Sequence, residues 1–315
     1  MPVSIVRDPR FEAHHPGPHH PETPRRLAAI NRALDLALEA REFACEAIDP
    51  VVVTIEDLER VHDPAYVRQV LSTEGRPHVF DPDTMTSEGS VEAARLAAGS
   101  TIELARRVAS GESPPGIALV RPPGHHATRD RAMGFCLFNN IALAARHLLD
   151  NGHAERIAIY DWDIHHGNGT QDIFYEDDRV LYMSTHQAAP FYPGTGAVEE
   201  TGRGCGAGTT LNVPLPAGTD DDALLAITRT VLSSKVRNFH PDMILISAGF
   251  DAYIDDPIGQ FRISPEGFGA LASLWRELAE SIAKGRIAAV LEGGYHLRGL
   301  GECVRQMLKS WAGVA

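Results

Sequence analysis

The chain has 315 residues, is 43% hydrophobic and carries a formal net charge of −13, so it has material for a large core but lacks the basic footprint that general nucleic-acid binding requires. Its four cysteines, Cys45, Cys136, Cys205 and Cys303, lie far apart and form no CxxC pair, which argues against a zinc ribbon or disulfide framework and fits a reducing compartment. No apolar run approaches the ~20 residues that span a bilayer, and Met1–Arg7 lacks the apolar core of a signal peptide, so a cytoplasmic protein with no membrane contact is expected.

In chain order, the first helix is expected over 24–40, opened by Thr23-Pro24 with proline in its first turn. A second helix follows over 92–109, then a short apolar strand at Ile117–Val120 and a helix over 138–150. Strands at Ile157–Tyr160 and Val180–Met183 precede a helix over 221–238. The strand Met243–Ile246, a helix over 265–283 opened by Ser264-Pro265-Glu266, the strand Ile287–Leu291 and a helix over 298–311 complete the series. Continuous apolar strands of this kind belong to parallel sheets covered on both faces. Their alternation with helices predicts an α/β fold: an open, mostly parallel sheet with helices on both faces. The Pro/Gly-rich stretches at 111–116 and 192–208 read as loops within one domain spanning 1–315.

Ligands of open α/β sheets bind beyond the carboxyl ends of the strands, and each strand is followed there by a polar cluster. Arg121-Pro122-Pro123-Gly124-His125-His126 follows the first strand and Asp161–Gly167 the second. Ser184-Thr185-His186 follows the third, Ala248–Asp251 the fourth and Glu292–Tyr295 the fifth. Asp163 and His165 are two apart, so in an extended chain their side chains leave on the same side and reach a single metal. A catalytic zinc takes three protein ligands and keeps one position open; Asp251, at another strand end, is the chosen third. An isolated Asp-x-His is more often a helix cap or a solvated loop, but this one sits in a run of two aspartates and two histidines. His125 and His126 are open to three readings: metal ligands, surface loop residues or acid–base groups. Each imidazole needs a partner to fix its tautomer, and Asp161 and Asn168 are the candidates. Tyr295 follows two glycines that allow a sharp turn close to a ligand. Its phenol can donate to a developing oxyanion, or it is an ordinary rim tyrosine.

Longer stretches sharpen the picture: HHPETPRR at 19–26, VHDPAYV at 61–67, RPPGHHA at 121–127, GFCLFNN at 134–140, DWDIHHGNGTQDIFYEDD at 161–178, FYPGTG at 191–196, SAGFDA at 247–252, DP at 256–257, SPEG at 264–267 and LEGGY at 291–295. In order and spacing the chain resembles the arginase–deacetylase superfamily, specifically histone deacetylases and related bacterial amidohydrolases. The wording is class II-like, with Asn168 where class I enzymes carry Asp. The resemblance implies one zinc on Asp163, His165 and Asp251. It implies His126 as main general base and acid with His125 beside it, Asp161 orienting His125, Asn168 contacting His126, and Tyr295 polarising the substrate carbonyl. Gly134 and Phe135, with Tyr192 opposite, would line an acyl-lysine tunnel; the position of Tyr192 is more often Phe in the family. Asp83 would match the loop acid that grips the substrate backbone. Structural potassium is implied too, one ion using Asp161, Asp163, His165, Ser184 and Thr185, and a second using main-chain oxygens near Phe174, Asp177 and Val180. The implied substrate is an acylated lysine of a peptide or protein. Acetylpolyamine amidohydrolases share nearly every motif, although animal polyamine deacetylases carry Glu directly after the Asp-Pro, where this chain has Ile258. An inactive acyl-lysine-binding relative would have lost a ligand, the paired histidines or the tyrosine, and all are present here. Arginase-like chemistry needs two manganese ions and more ligands than the chain offers. The oligomeric state is not legible in the sequence.

Overall fold

The computed structural model describes residues 1–314. In chain order its elements are β1 (Val3–Val6), α1 (Arg25–Glu39), β2 (Cys45–Ala47), α2 (Ile55–Glu59), α3 (Pro64–Leu71), β3 (His78–Asp81), β4 (Thr84–Thr86), α4 (Ser90–Ser110), β5 (Gly116–Ala118) and α5 (Asn140–Asp150). There follow β6 (Ile157–Asp161), α6 (Asn168–Phe174), β7 (Val180–Gln187), β8 (Thr210–Leu215), α7 (Asp221–Ile227), α8 (Ser233–Phe239), β9 (Met243–Ala248), α9 (Pro265–Ile282), β10 (Ile287–Leu291) and α10 (Leu297–Trp311).

Eight strands form one sheet in the order β2-β1-β5-β10-β9-β6-β7-β8, and every pairing in it is parallel. The strands β3 and β4 form a separate antiparallel hairpin. The continuous apolar runs lie where a two-sided sheet requires them: β6, β7, β9 and β10 are buried at every position. The helices pack in two sets, α1 on α10 on α9 on α7, and α4 on α5, which also carries α2 and α6. These are the two helical layers, and the buried apolar side chains join into one continuous cluster between them. All four cysteines are unpaired. Among the described residues no helix is long and apolar enough to cross a membrane.

Several features differ from the sequence reading. The strand expected over Val180–Met183 continues to Gln187, because β8 pairs alongside it as far as Gln187↔Leu215; Ser184, Thr185 and His186 therefore lie inside the strand rather than after it. The helix expected over 221–238 contains a π turn at Thr228–Leu232. There the Thr228 hydroxyl donates to the Leu224 carbonyl at 2.9 Å and the Ser233 hydroxyl to the Thr228 carbonyl at 2.7 Å, the side-chain competition that loosens a helical ladder. The strands β1, β2, β3, β4 and β8 and the short helices α2, α3 and α6 were not expected. β8 is an edge strand that carries Pro214 and mixes buried with half-buried positions; an edge tolerates such a proline and a central strand does not.

Candidate active site

Four adjacent strands at the middle of the sheet, β5, β10, β9 and β6, aim their carboxyl ends at one pocket. It has a volume of about 210 Å³ and is lined by His125, His126, His165 and Tyr295 together with Asp83, Gly134, Phe135, Tyr192 and Ile258. Every residue expected along a substrate tunnel thus borders the same cavity as the histidines. A larger groove of about 980 Å³ runs between α1 and α10, but it is lined mainly by alanines and arginines and contains no histidine, so the chemistry belongs to the smaller pocket.

At the pocket floor, ligand atoms of Asp163, His165 and Asp251 lie within 4.8 Å of one another, and all three residues are buried. His165 Nδ1 is 2.9 Å from Asp163 Oδ1 and 3.0 Å from Asp251 Oδ2. The backbone holds the carboxylates in place: the His165 N–H donates to Asp163 Oδ1 at 2.9 Å, the Ile164 N–H to Asp251 Oδ1 at 2.9 Å and the Gly293 N–H to Asp163 Oδ2 at 2.8 Å. Two glycines make room for them. A Cβ on Gly249 would lie 2.0 Å from Asp163 Oδ2, and one on Gly293 would lie 2.1 Å from Asp251 Oδ2. Burial, then the neighbouring Asp163 carboxylate, pushes the Asp251 carboxyl up to about 7. Burial opposes charge on His165, but Asp251 and Asp163 lift it to about 10. Among the described residues no lysine or arginine pairs with either aspartate; their ion-pair partners are histidines. Two buried carboxylates and one imidazole converging with no lysine or arginine among them form a donor set suited to a divalent cation.

The two adjacent histidines have different partners. His125 Nδ1 lies 2.9 Å from Asp161 Oδ2, and His126 Nδ1 lies 2.7 Å from Asn168 Oδ1. Burial opposes charge on His125, but Asp161, Asp163 and Glu292 outweigh it and raise its pKa well above the ordinary value. Burial lowers that of His126, and the positive neighbour His125 lowers it further. A neutral His126 that donates Nδ1–H to an amide oxygen keeps its Nε2 lone pair free. Its ring packs edge-on against Tyr192, with centroids 5.2 Å apart.

The loop in front of His126 is held in an unusual backbone conformation. Gly134 has φ +56° and Phe135 has φ +69°; the second is uncommon for a residue with a side chain. The Phe135 N–H donates to Thr84 Oγ1 of the β3–β4 hairpin at 3.1 Å. A Cβ on Gly134 would lie 2.3 Å from His126 Cδ2. Gly134→Ala is therefore expected to destabilise the fold by about 1–3 kcal/mol, the usual cost of overpacking, as read by urea or thermal unfolding. Unchanged stability would show that the imidazole yields without cost.

Tyr295 is half-buried. Its N–H donates to Asp256 Oδ2 at 2.7 Å, and its ring lies edge-on to Phe135 with centroids 6.0 Å apart. Burial raises the phenol pKa well above its usual value despite the charge of Arg26, so it stays protonated as a donor. Asp256 also accepts from the His296 N–H at 3.1 Å and from the Ile258 N–H at 3.0 Å. One carboxylate therefore braces both the tyrosine loop and a tunnel-wall residue.

Several residues of this region went unassigned in the sequence. Arg26 donates Nε to the Gly294 carbonyl at 2.6 Å, Nη2 to the Glu292 carbonyl at 2.5 Å and Nη1 to Glu22 at 3.0 Å. Arg121 binds Glu22 through two bonds of 2.5 and 2.6 Å. Burial opposes charge on Glu22, but Arg121, His14 and Arg26 together more than offset it and hold the carboxyl down at about 2. The side chain of Glu292 accepts from the Gly124 and His125 N–H groups at 2.7 and 3.2 Å. Their only signal was membership of the stretches at 19–26, 121–127 and 291–295. Of the residues expected at monovalent ions, Ser184 is the sheet neighbour of Asp161, and the Thr185 hydroxyl lies 2.8 Å from that of Tyr160. At the other group the Phe174 carbonyl accepts from the Asp177 N–H at 3.0 Å and the Asp177 carbonyl from the Val180 N–H at 3.5 Å.

Comparison with known proteins gives a consistent result. The family model of the histone deacetylase domain matches residues 20–311. The chain is 41% identical over 302 residues to a probable deacetylase of Archaeoglobus fulgidus, covering 95% of this chain and 83% of that one. It is 37% identical over 312 residues to histone deacetylase 14, chloroplastic, of Arabidopsis thaliana, covering 93% and 73%. The crystal structure of the HDA15 HD domain superposes with a TM-score of 0.93 at 38% identity, over 99% of this chain and 90% of that one.

Proposed function

Because the chain belongs to the histone deacetylase family, a family of hydrolytic deacetylases, we propose that this pocket cleaves the acetyl amide of lysine side chains with a zinc ion on Asp163, His165 and Asp251. The fit rests on the donor set: two buried carboxylates and an imidazole with ligand atoms within 4.8 Å. The ion supplies Lewis-acid polarisation of a carbonyl and lowers the pKa of water. Potassium would use Asp161, Asp163, His165, Ser184 and Thr185, and a second ion the main-chain oxygens of Phe174, Asp177 and Val180.

The rest of the chemistry falls to side chains. Gly134, Phe135 and Tyr192 hold the lysine methylenes and exclude water. His126 takes a proton from the attacking water at Nε2 and returns it to the leaving amine. His125, fixed by Asp161, keeps positive charge beside the carboxylates. Tyr295 donates to the oxygen on which negative charge develops. Two carboxylate ligands blunt the ion's electrophilicity more than imidazoles would, which leaves more of the carbonyl activation to this phenol. The observation that carries the reading is the His126–Asn168 contact of 2.7 Å, which frees one imidazole nitrogen in a pocket that also holds a protonated phenol.

Acetylpolyamines are the rival substrates. Ile258 lines the pocket where a glutamate would select a polyamine cation, and this favours lysine. Acetyl-lysine peptide is expected to give the higher kcat/KM in a side-by-side assay with acetylputrescine; the reverse order would reassign the substrate. Tyr295→Phe removes one oxygen and little shape. Its kcat should fall on the order of 10²–10³-fold with a modest change in KM, the pattern of a lost transition-state contact. Near-normal kcat would remove Tyr295 from the mechanism.

A further inference from the structure

The ladder between β5 and β10 ends at Ala118↔Val290, well short of the histidine pair that β5 delivers. Beyond it the side chain of Glu292 takes over. Fully buried, it accepts from the Gly124 N–H at 2.7 Å and the His125 N–H at 3.2 Å through Oε2, and from the Ser247 hydroxyl at 3.1 Å through Oε1. Its own backbone is fixed as well, with its N–H donating to the Ala248 carbonyl at 3.0 Å. Three chain segments meet on this one carboxylate: the turn before His126, the end of β9 that leads to Asp251, and the β10 loop that carries Tyr295.

We propose that Glu292 is a positioning residue that sets the spacing between the His125–His126 turn and the Tyr295 loop. The role is geometric. His126 has a side-chain anchor on Asn168, but its backbone direction is set by the residue before it, and Glu292 holds that residue's N–H. A glutamine can reproduce the same contacts. Its amide oxygen accepts from the two backbone N–H groups, and its NH2 donates to the Ser247 hydroxyl, which can turn to accept. Glutamine keeps these contacts and removes the charge that Glu292 lends to His125, so it separates position from charge.

The inference rests on the deacetylase reading with His126 as base, so its test carries a readout that needs no turnover. Glu292→Ala, Glu292→Gln and Ser247→Ala are compared with the wild type for kcat and KM on an acetyl-lysine peptide and for hydrogen–deuterium exchange of the 121–127 segment. Glu292→Ala should lose on the order of 10² in kcat, the scale of a misplaced catalytic group, with KM changed little and exchange of 121–127 accelerated. Glu292→Gln should recover most of the rate and the protection. Ser247→Ala, which removes a single bond, should show the same split at about tenfold or less; it and the glutamine variant carry the test if the alanine at 292 does not fold. Wild-type exchange in both Glu292→Ala and Ser247→Ala would overturn the proposal. So would a glutamine variant as impaired as the alanine, which would assign the role to charge. A wild type inactive on every acetylated amine would instead sink the functional reading, while the exchange data still report on the tie.

Discussion

Asp251→Ala is expected to abolish zinc binding and to cost on the order of 10³-fold or more in kcat/KM, since a bound metal supplies several kcal/mol of transition-state stabilisation. The substitution removes one of the three converging donors. It also removes the acceptor of the Ile164 N–H, whose bond to Asp251 Oδ1 is 2.9 Å, so the Asp163–His165 segment loses a brace together with a ligand. Elemental analysis should find about one zinc per wild-type chain and far less in the variant, and thermal melting of the metal-free proteins separates lost metal from lost fold. Full zinc and full activity in Asp251→Ala would overturn the ligand assignment. Zinc retained on Cys136 or Cys205 would do the same.

His126→Ala should lower kcat by about 10²–10⁴-fold, the range for a removed general acid–base group, while zinc content and melting temperature stay near wild type. His125→Ala should behave in the opposite sense, with the smaller loss of catalysis and the larger loss of stability. His125 Nδ1 is 2.9 Å from Asp161 and Nε2 is 3.9 Å from Asp163. Deleting it leaves buried carboxylates without their positive neighbour, the costly way to break a buried pair. The pH profile follows from the same contacts. A base must be unprotonated, and burial, with the positive His125, lowers the pKa of His126 well below 6.5. Activity should therefore persist through pH 6.5 and fall only on further acidification. Equal kinetic losses in both alanine variants would leave the two histidines undistinguished as bases.

The central strands were legible because a two-sided parallel sheet writes itself as unbroken apolar runs, and β6, β9 and β10 have no other way to be buried. β1 and β2 are four and three residues long, too short to carry a period. β8 mixes Asn212 and Pro214 into its run and reads as loop until β7 is seen beside it. In the pocket, Asp163, His165, Asp251, the histidine pair and Tyr295 stood out because their residue types are rarely clustered without chemistry. Glu22, Arg26, Arg121 and Glu292 did not. A charged side chain is ordinarily a solvated one, and that these four are completely buried depends on pairings between segments as distant as residues 26 and 294. Spacing along the chain carries no trace of such pairings.

The place of β10 in the sheet bears on how the enzyme is made. Strands β2, β1 and β5 form one half and β9, β6, β7 and β8 the other, and only β10 joins them. It is the last of the eight strands in chain order. Until Ile287–Leu291 leaves the ribosome, β5 and β9 each present an open edge flanked by apolar side chains, the template on which nascent chains mispair with one another. The histidine pair rides on one half-sheet while Asp163, His165 and Asp251 ride on the other, and Tyr295 follows β10 itself, so the pocket is whole only once β10 is seated between the halves. The two half-sheets are thus catalytically mute apart, and the strand that joins them is also the one that leads into the Tyr295 loop.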